Sequence, residues 1–406
     1  MSPQDNIILL STKIHPSEEE LQSLDAQVAL VHDWEAVARN LTERGVGPLF
    51  YSKLSMLSNR VLIPEVSYER LKQAYYRTLT RGMMLYDVFR RVADAFTLNG
   101  IRVVALKGIH LAEWLYQDIA LRQFSDIDLL VTKEDGGRCL QILRDMGFVQ
   151  SGDEILHMID EKSGLIHYPP MVMNDVSVEI HIDLNRRQNL DIKKIIQCSE
   201  RLTLNHTRVH VLELYDLLIF LCIHLDKHFR AGKVQFTCFC DIVNLIDIQA
   251  GEIDWQKLEI RCMLSRCEEM VYKYIYIAHK YFHARMPDAV AEQYAAYLLV
   301  QDEELFLRYL DGFRGTVSGV PNHLNNIARI NGFREKLRYF LLVVFPSREF
   351  MVRSYSIKNP SLFRLYYLTR HLRALRGLWR MTFRNKNFIE SETRTFGTKT
   401  DRAKTG

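Results

Sequence analysis

The stretch Gln123-Phe124-Ser125-Asp126-Ile127-Asp128-Leu129-Leu130-Val131 decides how this chain is read. Two aspartates stand two apart and run into an apolar, β-type segment. In a strand, residues i and i+2 project from the same face, so Asp126 and Asp128 point together while Ile127 and Leu129 point into a core. Two carboxylates held that close repel unless a cation lies between them, and a hard divalent ion suits oxygen ligands. Phosphoryl- and nucleotidyl-transfer sites use such pairs at a strand end to hold Mg²⁺ against a triphosphate. An Asp-x-Asp on its own equally describes the solvated face of an edge strand.

The flanking segments weigh between these two readings. Upstream, Ile101-Arg102-Val103-Val104-Ala105-Leu106 reads as a strand, Lys107-Gly108 as a tight exit and Ile109 to Tyr116 as the start of a helix. A strand–Gly–helix junction offers free backbone N–H groups to a phosphate. Downstream, Val176 to Leu184 alternates, with Val178, Ile180 and Ile182 on one face and Glu179, His181 and Asp183 on the other. Glu179 is thereby available as a third carboxylate on a neighbouring strand.

In order, the chain carries Leu106-Lys107-Gly108, Leu115-Tyr116, Arg122, Asp126-Ile127-Asp128-Leu129-Leu130-Val131 and Glu179-Ile180-His181. This series resembles the nucleotidyltransferase superfamily typified by DNA polymerase beta. It is closest to a branch of bacterial nucleotidyltransferase-like proteins often associated with surface-polysaccharide gene clusters. The resemblance extends to Phe239-Cys240-Asp241-Ile242, Ile253-Asp254-Trp255 and Phe345-Pro346-Ser347. One element departs from it: the superfamily usually has Gly-Ser or Gly-Gly after the first strand, whereas here Lys107 precedes Gly108 and Ile109 follows.

The resemblance implies a magnesium-dependent enzyme that moves a nucleotidyl group from an NTP, ATP among them, to an acceptor hydroxyl. Asp126, Asp128 and Glu179 would be the catalytic and metal-binding residues, with Glu179 helping to deprotonate the acceptor. Lys107, Gly108, Arg122 and His181 would bind the nucleotide cosubstrate. Gly108 would let the backbone approach the phosphates, and Lys107 or Arg122 would neutralise charge developing in transfer. Each has a plainer reading: a solvated Lys107, an Arg122 that only pairs with Asp126, a His181 that is a half-buried sheet residue, a structural Asp183. Asp241 either contacts nucleotide or acceptor, or makes a salt bridge that packs a helix. Two further functions stay open on the same fold. One is a regulatory protein that binds nucleotide with little catalysis; the other is a toxin-like transferase acting on RNA or protein.

Composition agrees with a folded protein of two or three domains: 406 residues, 48% apolar and 25% charged, with a net charge of +4 too small to argue for nucleic acid. The expected fold class is α+β. A polymerase-beta-like core, a small mixed sheet with helices at 99–190, is flanked by an N-terminal helical region (1–98) and a C-terminal helical domain (191–390). A disordered tail is expected at 391–406. Asp33 is a plausible cap for a helix from Trp34 to Arg44, and Tyr68 to Leu98 reads as one long helix, interrupted or capped near Gly82. Helix resumes from about 200, beginning with Tyr215.

His224, His228, Cys238 and Cys240 invite a zinc reading. On a helix over Val234 to Ile248, however, Cys238 and Cys240 stand about 200° apart and cannot both face one ion. One of the histidines is expected to line a cleft. The seven cysteines fit free thiols in a reducing compartment. Met1 to Asn6 has no positive n-region, Ile7 to Leu10 is short for a signal sequence, and no uncharged apolar run approaches the about 18 residues of a membrane span. These features suggest a cytoplasmic location. Between Met351 and Ile389 there is no Asp or Glu, and basic residues from Arg353 to Lys386 alternate with Leu, Tyr, Phe and Trp. Such a segment suits peripheral contact with an anionic membrane or another polyanion, or caps acidic surface elsewhere on the protein.

Overall fold

The computed structural model describes residues 1–151, 167–185, 188–232, 234–312, 333–345, 348, 351 and 364–372. It divides into two units, Met1–Ser151 with Leu165–Gly315, and Gly152–Gly164 with Thr316–Gly406. The first is a mixed α+β body.

The first unit opens with α1 (Pro3–Leu10), α2 (Glu18–Ala29), α3 (Trp34–Glu43) and α4 (Gly47–Lys53). Ser2 and Ser17 each start a helix with a reciprocal capping box closed by Asp5 and Glu20. Asp33 caps α3 by accepting from the Ala36 N–H at 2.9 Å. The expected long helix forms as α5 (Glu65–Leu98), without a break at Gly82. That glycine is buried, where a Cβ would lie 3.5 Å from Ile119.

Among the described residues the sheet has seven strands: β1 (Val104–Ala105), β2 (Asp126–Leu130), β3 (Val149–Gln150), β4 (Met171–Met173), β5 (Val176–His181), β6 (Glu200–Leu204) and β7 (Thr207–Val211), in the order β3-β4-β5-β2-β1-β7-β6. β2 lies parallel to β5 and antiparallel to β1, and β1 lies parallel to β7. The sheet therefore continues past residue 190, because a hairpin over 200–211 precedes the helix that begins near Tyr215. Leu202 and Leu204 alternate with polar residues on one arm, and Asn205-His206 makes the turn with φ of 43° and 62°. Asn174-Asp175 turns β4 into β5 in the same left-handed manner, with φ of 46° and 64°.

Two described helices interrupt the run β1 to β5: α6 (Gly108–Trp114) and α7 (Lys133–Asp145), the latter capped by Thr132. After β5 and α8 (Ile192–Cys198), the unit ends with α9 (Leu214–Arg230), α10 (Thr237–Ile248), α11 (Trp255–Ser265), α12 (Glu268–Phe282), α13 (Asp288–Ala295) and α14 (Val300–Leu310).

The sheet separates two apolar clusters. On one face Ile127, Leu129, Val178 and Ile180 pack with Phe89, Val92 and Phe96 of α5 and Leu143 of α7. On the other, Val104, Leu106 and Leu130 join a cluster that runs from α1–α4 through α9–α12. Lys13 fixes that second layer. Its Nζ lies 2.7 Å from Glu20 and 3.0 Å from Asp247, and donates to the His283 carbonyl at 2.7 Å.

Lys53 lies in the same layer, fully buried, with Nζ donating to the carbonyls of Ser11 (3.1 Å) and Leu49 (2.9 Å). Burial drives its pKa down to about 7, against the opposing pull of Cys240 and Glu20. Above that value the folded chain holds a neutral amine while the unfolded chain still binds the proton. Stability therefore rises with pH up to the ordinary lysine range. Between pH 7.5 and 9.5 the native chain should gain on Lys53→Met by about 1 kcal/mol per pH unit in paired urea titrations. Parallel curves would show that Lys53 keeps its proton in the fold.

In the second unit, α15 (Phe333–Val344) and a helical stretch at 364–372 are described. Phe345 contacts the rings of Tyr367 and His371 at centroid distances of 5.5 Å. Pro346 and Ser347, most of the basic segment 353–386 and the expected tail 391–406 fall outside the described residues. No described helix is long and apolar enough to cross a membrane.

Candidate active site

The two-residue period of β2 places Ile127 and Leu129 in the core behind the sheet and leaves Asp126 and Asp128 on the opposite face. Parallel pairing with β5 sets Asp128 beside Glu179 and Leu130 beside His181. The start of β2 is held from behind by Arg81 of α5, whose Nη2 donates to the carbonyls of Ser125 and Asp175, both at 2.9 Å.

Asp128 is the deepest carboxylate. His181 Nε2 lies 3.0 Å from its Oδ1 and Lys107 Nζ lies 2.8 Å from its Oδ2. Burial raises the Asp128 pKa, but Lys107 and the hydrogen bond from His181 outweigh it, and the group is held well below the usual carboxylate range. An ionised Asp128 only accepts, so His181 Nε2 carries the proton in this bond. Asp126, farther out, moves the other way: burial and then the Asp128 charge raise its pKa. Lys107 Nζ lies 3.9 Å from its Oδ2.

Asp128, Glu179 and His181 each offer a donor atom, and the three lie within 4.8 Å of one another. This is the group of metal-ligating side chains that converges among the described residues. The carboxylates suit a hard divalent ion, and His181, whose Nε2–H is given to Asp128, holds that ligand in place. His181 Nδ1 is buried with no hydrogen-bond partner among the described residues, and its ring lies 5.2 Å from that of His167. Asp183 accepts from the Asn185 N–H at 3.1 Å and shapes the turn after β5.

Gly108 begins α6. A Cβ there would meet the Phe124 ring at 2.9 Å, so the missing side chain makes room for the residue two before Asp126. Arg122 does not reach for Asp126 as the plainer reading had it. Its Nε and Nη2 make a bidentate pair with Asp241 of α10 at 2.8 and 2.6 Å, and the Tyr116 hydroxyl donates to the same carboxylate at 2.9 Å. Arg122 Nη1 is buried without a hydrogen-bond partner among the described residues.

Sequence reading had no signal for His167, which joins β5 at His181 through an isolated bridge outside the named strands. His224 and His228 are adjacent, Nε2 to Nε2 at 3.1 Å, and Cys238 Sγ lies 3.6 Å from His224 Nδ1. His224 therefore presents different nitrogens to its two neighbours. Burial, and then the Lys107 charge, hold its pKa well below the ordinary histidine value.

A family profile described as "uncharacterised nucleotidyltransferase" matches residues 31–283, more than half of the chain and every residue of this cluster. The chain belongs to that family. A comparison with curated proteins gave no match. Membership makes the chain a transferase that carries out nucleotidyl transfer, with a nucleotide as substrate. Members of such families typically use a divalent metal, and the Asp128–Glu179–His181 group is where the described residues could hold one.

Proposed function

We propose that the chain is a Mg²⁺-dependent nucleotidyltransferase that moves a nucleotidyl group from an NTP to an acceptor hydroxyl, on a polymerase-beta-like core that begins near residue 99 and includes the hairpin at 200–211. The observation that carries this reading is the convergence of Asp128, Glu179 and His181 beside Asp126 and Lys107. Asp126, Asp128 and Glu179 would hold the metal, which when bound polarises the transferred phosphate and neutralises its charge. Glu179, partly exposed at 23%, helps take the proton of the acceptor hydroxyl. Lys107 and the buried Arg122 set a positive field for the triphosphate. Gly108 keeps the strand exit close-packed, and His181 orients Asp128.

The acceptor is proposed to be a polyhydroxyl precursor of surface-polysaccharide metabolism, a reading supported by the family resemblance alone. Peripheral contact of the basic C-terminal segment with an anionic membrane is supported by exposed Leu365, Leu368 and Leu372 beside Arg364 and Arg370. RNA or protein acceptors, and a regulatory protein of weak activity, are the competing readings.

Isothermal titration of each NTP into the native chain and the Asp126→Asn/Asp128→Asn variant, with and without Mg²⁺, tests the proposal. Binding should depend on Mg²⁺ and fall at least about tenfold in the variant. Indifference to both metal and substitution by well-folded protein would sink it.

A further inference from the structure

Lys107 occupies the place of a bridging cation. Its ammonium lies 2.8 Å from Asp128 Oδ2 and 3.9 Å from Asp126 Oδ2, and its side chain is 13% exposed. An ammonium in that position faces both carboxylates at once, as a bound cation would. A divalent ion on the same two carboxylates would stand a few ångströms from that ammonium, and repulsion at such separations in a poorly hydrated pocket is severe. Arg122 cannot give way, because Asp241 grips it from two sides. Lys107 can: its flexible four-carbon stem moves Nζ several ångströms with no change in the backbone.

Building on the metal-site reading above, we propose that Lys107 is a resident counter-ion that competes with the free divalent ion for Asp126 and Asp128. It yields its place when a triphosphate arrives to receive the ammonium. The metal then enters with the nucleotide rather than ahead of it, and the repulsion within the carboxylate pair stays partly neutralised between turnovers.

The test is Mn²⁺ binding to the full chain without nucleotide, followed by the electron spin resonance of free Mn²⁺, in the native protein, Lys107→Met, Lys107→Gln and Lys107→Met/Asp128→Asn. Both single variants should bind Mn²⁺ about tenfold or more tighter than the native chain. Addition of Asp128→Asn should remove that gain. Without Mn²⁺ the single variants should melt lower than the native protein, and Mn²⁺ should restore them. Asp128-dependent binding that is no tighter in either variant would overturn the counter-ion role. A variant that stays unfolded at saturating Mn²⁺ would do the same, since an ion able to replace the ammonium must rescue the fold. Mn²⁺ binding indifferent to Asp128→Asn would instead overturn the underlying metal-site reading.

Discussion

Asp126→Asn should lower nucleotidyl transfer about a hundred- to a thousandfold and leave the melting temperature unchanged or slightly raised. The two effects separate because the proposed metal ligand is costly in the fold. It lies on the site face of β2, yet burial and the Asp128 charge both disfavour its ionised form. Its separation from Lys107 Nζ is a long 3.9 Å, so an amide in its place gives up little attraction. A carboxyl whose pKa is raised in the fold destabilises the native state above that pKa. The penalty fades as pH falls toward the usual aspartate range, where folded and unfolded chains are both protonated. The variant should therefore match or exceed the native chain near neutral pH and lose that advantage in acid. Pyrophosphate release and thermal denaturation on the same preparations check both halves. Near-native transfer by the variant would refute the role assigned to Asp126, as would activity lost in step with structure.

The second large effect concerns stability. Asp241→Ala leaves the Arg122 guanidinium buried without its bidentate partner and removes the acceptor of the Tyr116 hydroxyl. Breaking one side of a buried ion pair costs about 3–5 kcal/mol, since the remaining charge keeps its desolvation penalty and loses its compensation. Urea denaturation should show a loss of that size. Arg122→Met/Asp241→Leu, which removes both charges and refills the volume, should recover most of it. A loss under about 1 kcal/mol for Asp241→Ala would mean that water reaches Arg122 in solution. The pair also joins the loop before β2 to α10, so the single variant should blunt transfer further by loosening the approach to Asp126.

The core of the site was legible because its information is local. The Asp126–Asp128 spacing, with Ile127 and Leu129 between, requires only the two-residue period of a strand, and Glu179-Ile180-His181 requires the same rule. Helix α5 was legible too, since a single glycine in 34 residues weakens a helix without ending it. The hairpin at 200–211 was passed over because its two short arms carry few apolar residues and its turn uses Asn205-His206 in place of a glycine. The Arg122–Asp241 pair spans 119 positions, and His167 meets His181 through a bridge that no periodicity announces. Nor does local pattern reveal that Lys107 lies against Asp128. The Leu-Lys-Gly element marks a strand exit, but the direction of the lysine depends on how α6 leaves the sheet.

The strand that delivers Lys107 has an unusual dependence on time. β1 is two residues long and is clasped between β2 and β7, and the second of these lies about a hundred residues later in the chain. During synthesis, the segment bearing both aspartates leaves the ribosome well before its far neighbour exists. Closure over so long a separation is slow relative to local helix formation. The strand that leads into Lys107 thus completes its pairing only after the chain has been made through residue 211.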